Sequence, residues 1–237
     1  MYKDTPAELP IAKDFISCEP SFQRARTSEQ IKIRKAEIIN ACFRLYNEGG
    51  FDAVNFKAIS EMTSFTRQSI YNYYKTREEA LLDMLLYEND LWLSDIESTF
   101  AAHETLTRDE YAHIISECFL RHGMMLELTS LLINVLENSS RPEKIDGFSK
   151  AGTKSYQAIL SSVRRFFPEI NYDSCCFFTS SVIALALGVY PVMQMYKNQI
   201  LPSHEKGIAD PNFIKLSPST FDDMFYLSVL CLLSGLR

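Results

Sequence analysis

Apolar residues recur at helical spacing along most of the chain. Ile31, Ala36, Ile38, Ile39, Cys42, Phe43 and Tyr46 predict a first helix from about Ser28, with Thr27 or Ser28 as its cap and Gly49-Gly50 as its stop. Asn55 is placed to cap a short helix, FKAISEM, that buries Phe56, Ile59 and Met62. After a turn written TSF, Thr66 caps a second short helix, RQSIYNYY. Thr76 then caps a long one beginning at Arg77, with Glu78 and Glu79 at its positive end. Further helical patterns run over about 108–122, 125–138, 142–167, 172–198 and 217–235, separated by Arg141-Pro142, Phe167-Pro168 and the loop ILPSHEKGIADPN. No segment sustains the period-two alternation of a half-buried strand, so the expected class is all-α. Scarce glycine (8) and proline (9) agree, because all-β folds need many tight turns.

Charge divides the chain. The net charge of −6 excludes a uniformly basic nucleic-acid binder, yet residues 20–80 hold ten Lys/Arg against seven Asp/Glu, whereas residues 81–237 hold twelve against nineteen. The expected organisation is an irregular arm over 1–28, a small mildly basic domain over 29–77 and an acidic helical body over 78–237. Six cysteines without a C-x-x-C pair, several of them inside apolar runs, suggest buried reduced thiols and a cytoplasmic protein. MYKDTPAELPIAKDF has no apolar core, so no signal peptide is expected. Residues 174–194 carry no charge and approach the ~20 residues that span a bilayer. The stretch contains Thr179, Ser180, Ser181, Gly188 and Pro191 and lacks flanking Lys/Arg clusters. A helix buried in the body or at a dimer interface is the expected reading, with no membrane.

Two short helices joined by a three-residue turn form a helix-turn-helix. Ile70 and Tyr74, four apart, share the face that turns inward, which leaves Arg67, Gln68, Tyr71 and Asn72 outward. Arg pairs bidentately with guanine, Gln or Asn with adenine, and hydroxyls bond either bases or phosphates. By composition alone, a DNA-reading face and the ordinary surface of a helical bundle both remain open.

Residues 30–82 resemble the DNA-binding domain of the tetracycline-repressor (TetR) family of bacterial transcription regulators. The resemblance is carried by AEIINACFRLYNEGGFDAV, by FKAIS, similar to the family's T-x-x-x-I-A, and by FTRQSIYNYYKTREEALL, similar to V-S-x-G-T-L-Y-x-H-F-x-S-K-E-x-L. No insertion or deletion interrupts the match, and the basic FQRAR precedes it. Three positions depart from the family: its turn Ala-Gly is Thr63-Ser64, its small recognition-helix residue is Gln68, and its phosphate-binding His is Tyr73. The resemblance implies that Asn55 and Lys57 contact phosphate and that Thr66 caps the recognition helix. It further implies that Arg67, Gln68, Ser69 and Asn72 face bases, that Tyr71 and Tyr73 meet phosphate or sugar, and that Lys75 and Arg77 contact phosphate. Arg24 and Arg26 would reach a minor groove.

The resemblance also implies an all-helical C-terminal domain that binds a small molecule and forms a homodimer through the last two helices, about 172–198 and 217–235. The expected function is a repressor bound to a palindromic operator on double-stranded DNA. A small, apolar effector would release it by shifting the long helix. An architectural or division-related DNA-bound factor controlled by a protein partner is the alternative. Large groups on inward stripes nominate a pocket: Trp92, Phe119, Met124, Phe148, Tyr156, Phe178 and Tyr190. Pro191 should kink its helix and free a carbonyl. No P-loop, nucleophile elbow, dinucleotide fingerprint or metal pair is present in the sequence; no cofactor, metal or catalytic residue is expected. His103, His113, His122 and His204 lack metal-pair spacing, and Cys175-Cys176 could serve either as a redox pair or as inert core.

Overall fold

The structure, a computed structural model, describes residues 28–139, 141–200, 202–203 and 218–236. The expected arm, with Arg24, Arg26 and the Thr27 cap, lies outside the described residues, as does His204. Among the described residues every regular element is helical. The chain forms two compact units, one ending at Met84 and the other beginning at Leu85.

The first unit contains α1 (Ser28–Ala53), α2 (Phe56–Met62), α3 (Arg67–Ile70) and the opening of α4 (Arg77–Ala101). Gly50 breaks α1 internally with φ 70° and ψ −163°, a region that side chains other than hydrogen rarely enter. Ile38, Cys42, Tyr46, Val54, Ile59, Ile70 and Tyr74 fill the core. Burial there pushes the Cys42 thiol up to about 12, so it stays protonated. Two expected core residues are outside it. Met62 and Ile31 are exposed, because α2 ends at Met62 and α1 has barely begun at Ile31, beyond the reach of either neighbour.

The second unit carries the rest of α4, then α5 (Arg108–Arg121), α6 (Gly123–Ser139), α7 (Pro142–Phe166), α8 (Tyr172–Met195) and α9 (Pro218–Ser234), with a π-helical turn over Tyr196–Ile200. Local signals set the boundaries. Thr107 and Glu110 cap α5 reciprocally, at 3.2 and 2.8 Å, and Asn171 accepts from Ser174 N–H at 2.9 Å to open α8. Two arginines close helix ends: Arg108 donates to the carbonyls of Leu233 and Ser234, and Arg165 to those of Phe100 and His103. The core stacks Tyr111 on Phe100 at 5.0 Å, with Tyr111 Oη 2.7 Å from Ser162 Oγ. Helix α8 continues through Pro191 as one element. The carbonyl that Pro191 cannot bond is that of Leu187, and it is not left free: Ser130 Oγ of α6 lies 3.2 Å away and shares its proton between Leu187 O and Leu126 O.

Candidate nucleic-acid interface and body cavity

The helix-turn-helix is held from both sides. Asn55 Oδ1 accepts from Ala58 N–H at 3.0 Å to start α2, and Thr66 Oγ1 accepts from Ser69 N–H at 3.2 Å to start α3. The turn between them needs no glycine. Thr63 is extended (φ −128°, ψ 170°), and no residue of the described chain other than glycine has positive φ. Its hydroxyl donates back to Ile59 O at 2.8 Å, while Ser64 N–H donates to Glu37 Oε1 of α1 at 2.7 Å. A distant carboxylate therefore fixes the turn.

The recognition helix is shorter than the sequence pattern predicts. It ends at Ile70, and Tyr71–Tyr73 form a tightened turn in which Asn72 N–H reaches Ser69 O and Tyr73 N–H reaches Ile70 O. Ile70 and Tyr74 are both fully buried, as expected. Tyr74 Oη donates to Asp83 at 2.9 Å, and Lys35 pairs with the same carboxylate at 3.6 Å. Burial, then the Asp83 charge, pushes the Tyr74 hydroxyl far above its ordinary range, so it remains a donor. Glu79, also buried, accepts from Lys75 N–H at 2.8 Å while Thr76 Oγ1 accepts from Glu79 N–H at 3.3 Å. These buried contacts join the tyrosine turn to the start of α4.

With the anchors inward, Asn55, Lys57, Thr66, Arg67, Gln68, Tyr71, Asn72 and Lys75 stand exposed. Tyr71 rests the edge of its ring against Phe56 at 4.9 Å, which fixes the ring and leaves it 44% exposed. Arg67 and Lys75 form no ion pair among the described residues, so their charges face solvent. Three nominated residues are placed differently. Ser69 is half-buried with Oγ 2.8 Å from Thr66 Oγ1, and Tyr73 is half-buried against Phe65. Arg77 lies over the Phe51 ring at 4.4 Å and pairs with Glu78 and Asp52, so its guanidinium is already engaged within the unit.

The body contains a cavity of about 110 Å³ lined from α4, α5, α6, α7 and α8. Of the nominated pocket residues, Trp92, Phe119 and Phe148 line it, with Trp92 stacked on Phe119 at 5.0 Å. The others do not. Met124 is displaced by its neighbour Met125; Tyr156 donates to Cys176 O; Phe178 packs beside Tyr111; and Tyr190 sits against Gly123. On α6 the inward stripe runs through Met125, Leu126 and Thr129, so Met124, one residue earlier, falls off it. Asn89, Thr129 and Ser155 also line the cavity and were not nominated. Asn89 was visible in principle as a polar residue on the apolar stripe shared with Leu85 and Trp92.

Chemistry outside these sites is sparse. No group of three or more metal-ligating side chains occurs among the described residues. His103 Nδ1 bonds Thr99 O, His113 lies beside Glu117, and His122 beside Asp95. Cys175 is buried and Cys176 half-buried, while Cys231, expected inside, is exposed on α9. Helix α8 with the following turn is long and apolar enough, by length and composition, to cross a bilayer; it also packs on α6, α7 and α9, with Phe178, Val182 and Ala186 buried, while most of its residues are not.

Comparison with known proteins agrees with this architecture. Residues 38–84 match the profile of bacterial regulatory proteins of the tetR family, and residues 86–237 match that of a tetracyclin repressor-like C-terminal domain. No curated protein matches the sequence. Among solved structures, the chain is similar to a candidate TetR-family transcriptional regulator from Mesorhizobium loti, with 14% identity, 90% of this chain and 99% of that one covered, and a TM-score of 0.56. It is similar to a TetR/AcrR-family regulator from Thermobifida fusca, with 19% identity, 86% and 98% covered, and a TM-score of 0.55. It is also similar to the fatty acid degradation regulator FadR from Bacillus halodurans, with 13% identity, 90% and 99% covered, and a TM-score of 0.53. These structures share the fold, while the two profiles together cover most of the chain and its helix-turn-helix: the chain belongs to the tetR family of bacterial transcriptional regulators.

Proposed function

We propose that the protein is a dimeric repressor that binds a palindromic operator and is released from it by a small apolar ligand. One observation carries the DNA-binding part of this reading. Ile70 and Tyr74 are wholly buried, so Arg67, Gln68, Tyr71 and Asn72 project together from the end of the unit with no other evident task. Arg67 and Gln68 are suited to base edges, Tyr71 and Asn72 to bases or backbone, and Asn55, Lys57 and Lys75 to phosphate. Ser69, Tyr73 and Arg77 are weaker candidates, since each is already bonded or packed inside the unit.

Dimerisation is supported by apolar surface on the last two helices. Phe177 is 61% exposed on α8 and Leu227 51% on α9, and these helices pack on one another. Two recognition helices related by a two-fold axis would read two half-sites about one or more helical turns apart. Ligand control is supported by the cavity. Asn89 and Trp92 line it from α4, the helix that Arg77 begins. A ligand favouring one placement of α4 would change operator affinity by a coupling of about 1–3 kcal/mol.

The test is selection of duplexes from a random pool by the full-length protein, followed by fluorescence anisotropy on the winner. Enrichment of a palindrome, with release by a compound that also raises thermal stability, is the expected result. Enrichment without any such compound favours control by a protein partner, and no enrichment removes the reading.

A further inference from the structure

Helix α7 walls one side of the body cavity, and its inward stripe changes along its length. Residues 145, 148, 152, 155, 159 and 163 recur three or four apart and share one face. Towards the C-terminus of the helix, Ile159 and Val163 on that face are wholly buried. Towards the N-terminus, Ile145 is 43% exposed, and Phe148, which lines the cavity, is only half-buried. The helix is packed tightly over its second half and loosely over its first.

Gly152 stands where the packing loosens. It lines the cavity and is also exposed to solvent. A Cβ at this position would have no atom within 4 Å, a gap that close-packed interiors do not leave on an inward stripe. Contacts with α4 flank it: Leu86 lies against Gly147, and Ser155 Oγ is 2.8 Å from Asn89 Oδ1. Nothing local demands glycine here. Its φ is not positive and no neighbour crowds it, yet glycine is among the worst residues for a helix interior. What the missing side chain provides is an opening in the wall.

The wall selects what can use that opening. Leu85, Leu86, Phe119, Leu126 and Ile183 make it mostly hydrocarbon, and no charged side chain lines it. An ion would be buried there without a counter-charge. An apolar cavity of about 150 Å³ holds benzene, so the roughly 110 Å³ here suits a ring of about five non-hydrogen atoms.

We infer that Gly152 is the portal of the body cavity: small neutral apolar molecules enter and leave beneath the N-terminal half of α7, through the space where another residue would carry a side chain. This rests on the cavity being the effector site and adds the residue that governs access to it.

The probe is furan, a flat neutral ring of suitable size whose ring current shifts nearby protons. Trp92, the only tryptophan of the chain, lines the cavity, so a ¹⁵N-labelled full-length sample gives one indole cross-peak that reports occupancy. Line shapes across a titration give both the dissociation constant and the exchange rates. Gly152→Leu is expected to slow furan association and dissociation together, roughly tenfold or more, because a plugged portal hinders both directions. Its urea midpoint should stay level or rise, since leucine is the better helix former. Gly152→Ala should fall between the two, and Lys154→Leu, on the exposed face of the same helix, should exchange like wild type. Gly152→Met makes the same comparison if Gly152→Leu does not fold. Unchanged rates overturn the inference, as does weaker binding with unslowed dissociation, which would mean that leucine merely fills the cavity. Equal slowing by Lys154→Leu, or no saturable indole shift in wild type, overturns it too. Because exchange is read without DNA, operator release by a compound that enters elsewhere would leave the regulatory reading standing while this one fell.

Discussion

Tyr71 and Trp92 each carry a large ring with one polar tip, and the two units use them in opposite senses. Tyr71 packs edge-to-face with Phe56 and is still 44% exposed, so it is available to an outside partner. Trp92 is stacked on Phe119 and buried among the residues that line the body cavity, with no partner for its N–H among the described residues. In the first unit the candidate chemistry is what the core leaves over. In the body it is what the core leaves unfinished. A surface meant for a large, charged, flat partner needs rigid exposed groups, whereas a site for a small apolar molecule needs enclosure and a few placed polar atoms.

The contrast can be broken at several points. The largest effect is expected from Leu227→Asp, which sets a charge in the exposed apolar surface of α9. Sedimentation velocity should find a monomer, and affinity for a two-half-site duplex should fall roughly 100-fold or more, because one recognition helix contributes alone. A dimer that survives the change would place the interface elsewhere.

Gly50→Ala acts on the first unit only. With φ 70° and ψ −163°, the position should lose about 1–3 kcal/mol in urea unfolding on receiving a Cβ. Asn55→Ala removes the α2 cap and should lose about 1 kcal/mol by the same measurement, with a parallel loss of DNA affinity if Asn55 also meets phosphate. Neither should alter Trp92 fluorescence in the folded protein.

The smallest effect concerns pH and tests the body alone. Burial raises the Asp95 carboxyl, but its bonds to Arg121, 2.9 Å away, and to His122 outweigh this and hold it below its ordinary value. Burial, only partly offset by Asp95, lowers His122. Both folded-state values lie under the unfolded ones, so each contributes stability at higher pH that is lost as pH falls: His122 below about 6.5, Asp95 below about 4. Asp95→Asn should flatten the lower step of a urea-midpoint profile, modestly because the pair is partly solvated.

How much of this was legible depended on contact range. Asn55, Thr66 and Thr76 were readable as caps because each bonds an amide three residues on. Ile70 and Tyr74 were readable as anchors from helical spacing, although the helix relaxes into a turn after Ile70. The glycine missing from the helix-turn-helix was not explicable locally: Glu37, 27 residues away, ties Ser64, and Thr63 needs no left-handed backbone. Likewise the carbonyl freed by Pro191 was foreseeable, but not Ser130, 57 residues away. The cavity was the least legible feature, since its wall gathers residues from Leu85 to Leu187 and a shift of one residue exchanges Met124 for Met125. An aromatic on an inward stripe looks alike whether it lines space or fills it.

The most direct test of the central claim is the double variant Arg67→Ala with Tyr71→Ala, titrated by fluorescence anisotropy against the duplex selected by wild type. Both residues are exposed, so the fold and the dimer should persist by circular dichroism and sedimentation, with only a small loss of thermal stability from the Tyr71 ring's contact on Phe56. Sequence-specific affinity should fall roughly 100-fold, since each good base contact is worth about 1–3 kcal/mol, while weak salt-sensitive binding persists. A folded, dimeric double variant that keeps wild-type affinity and specificity would contradict the assignment of this face to DNA.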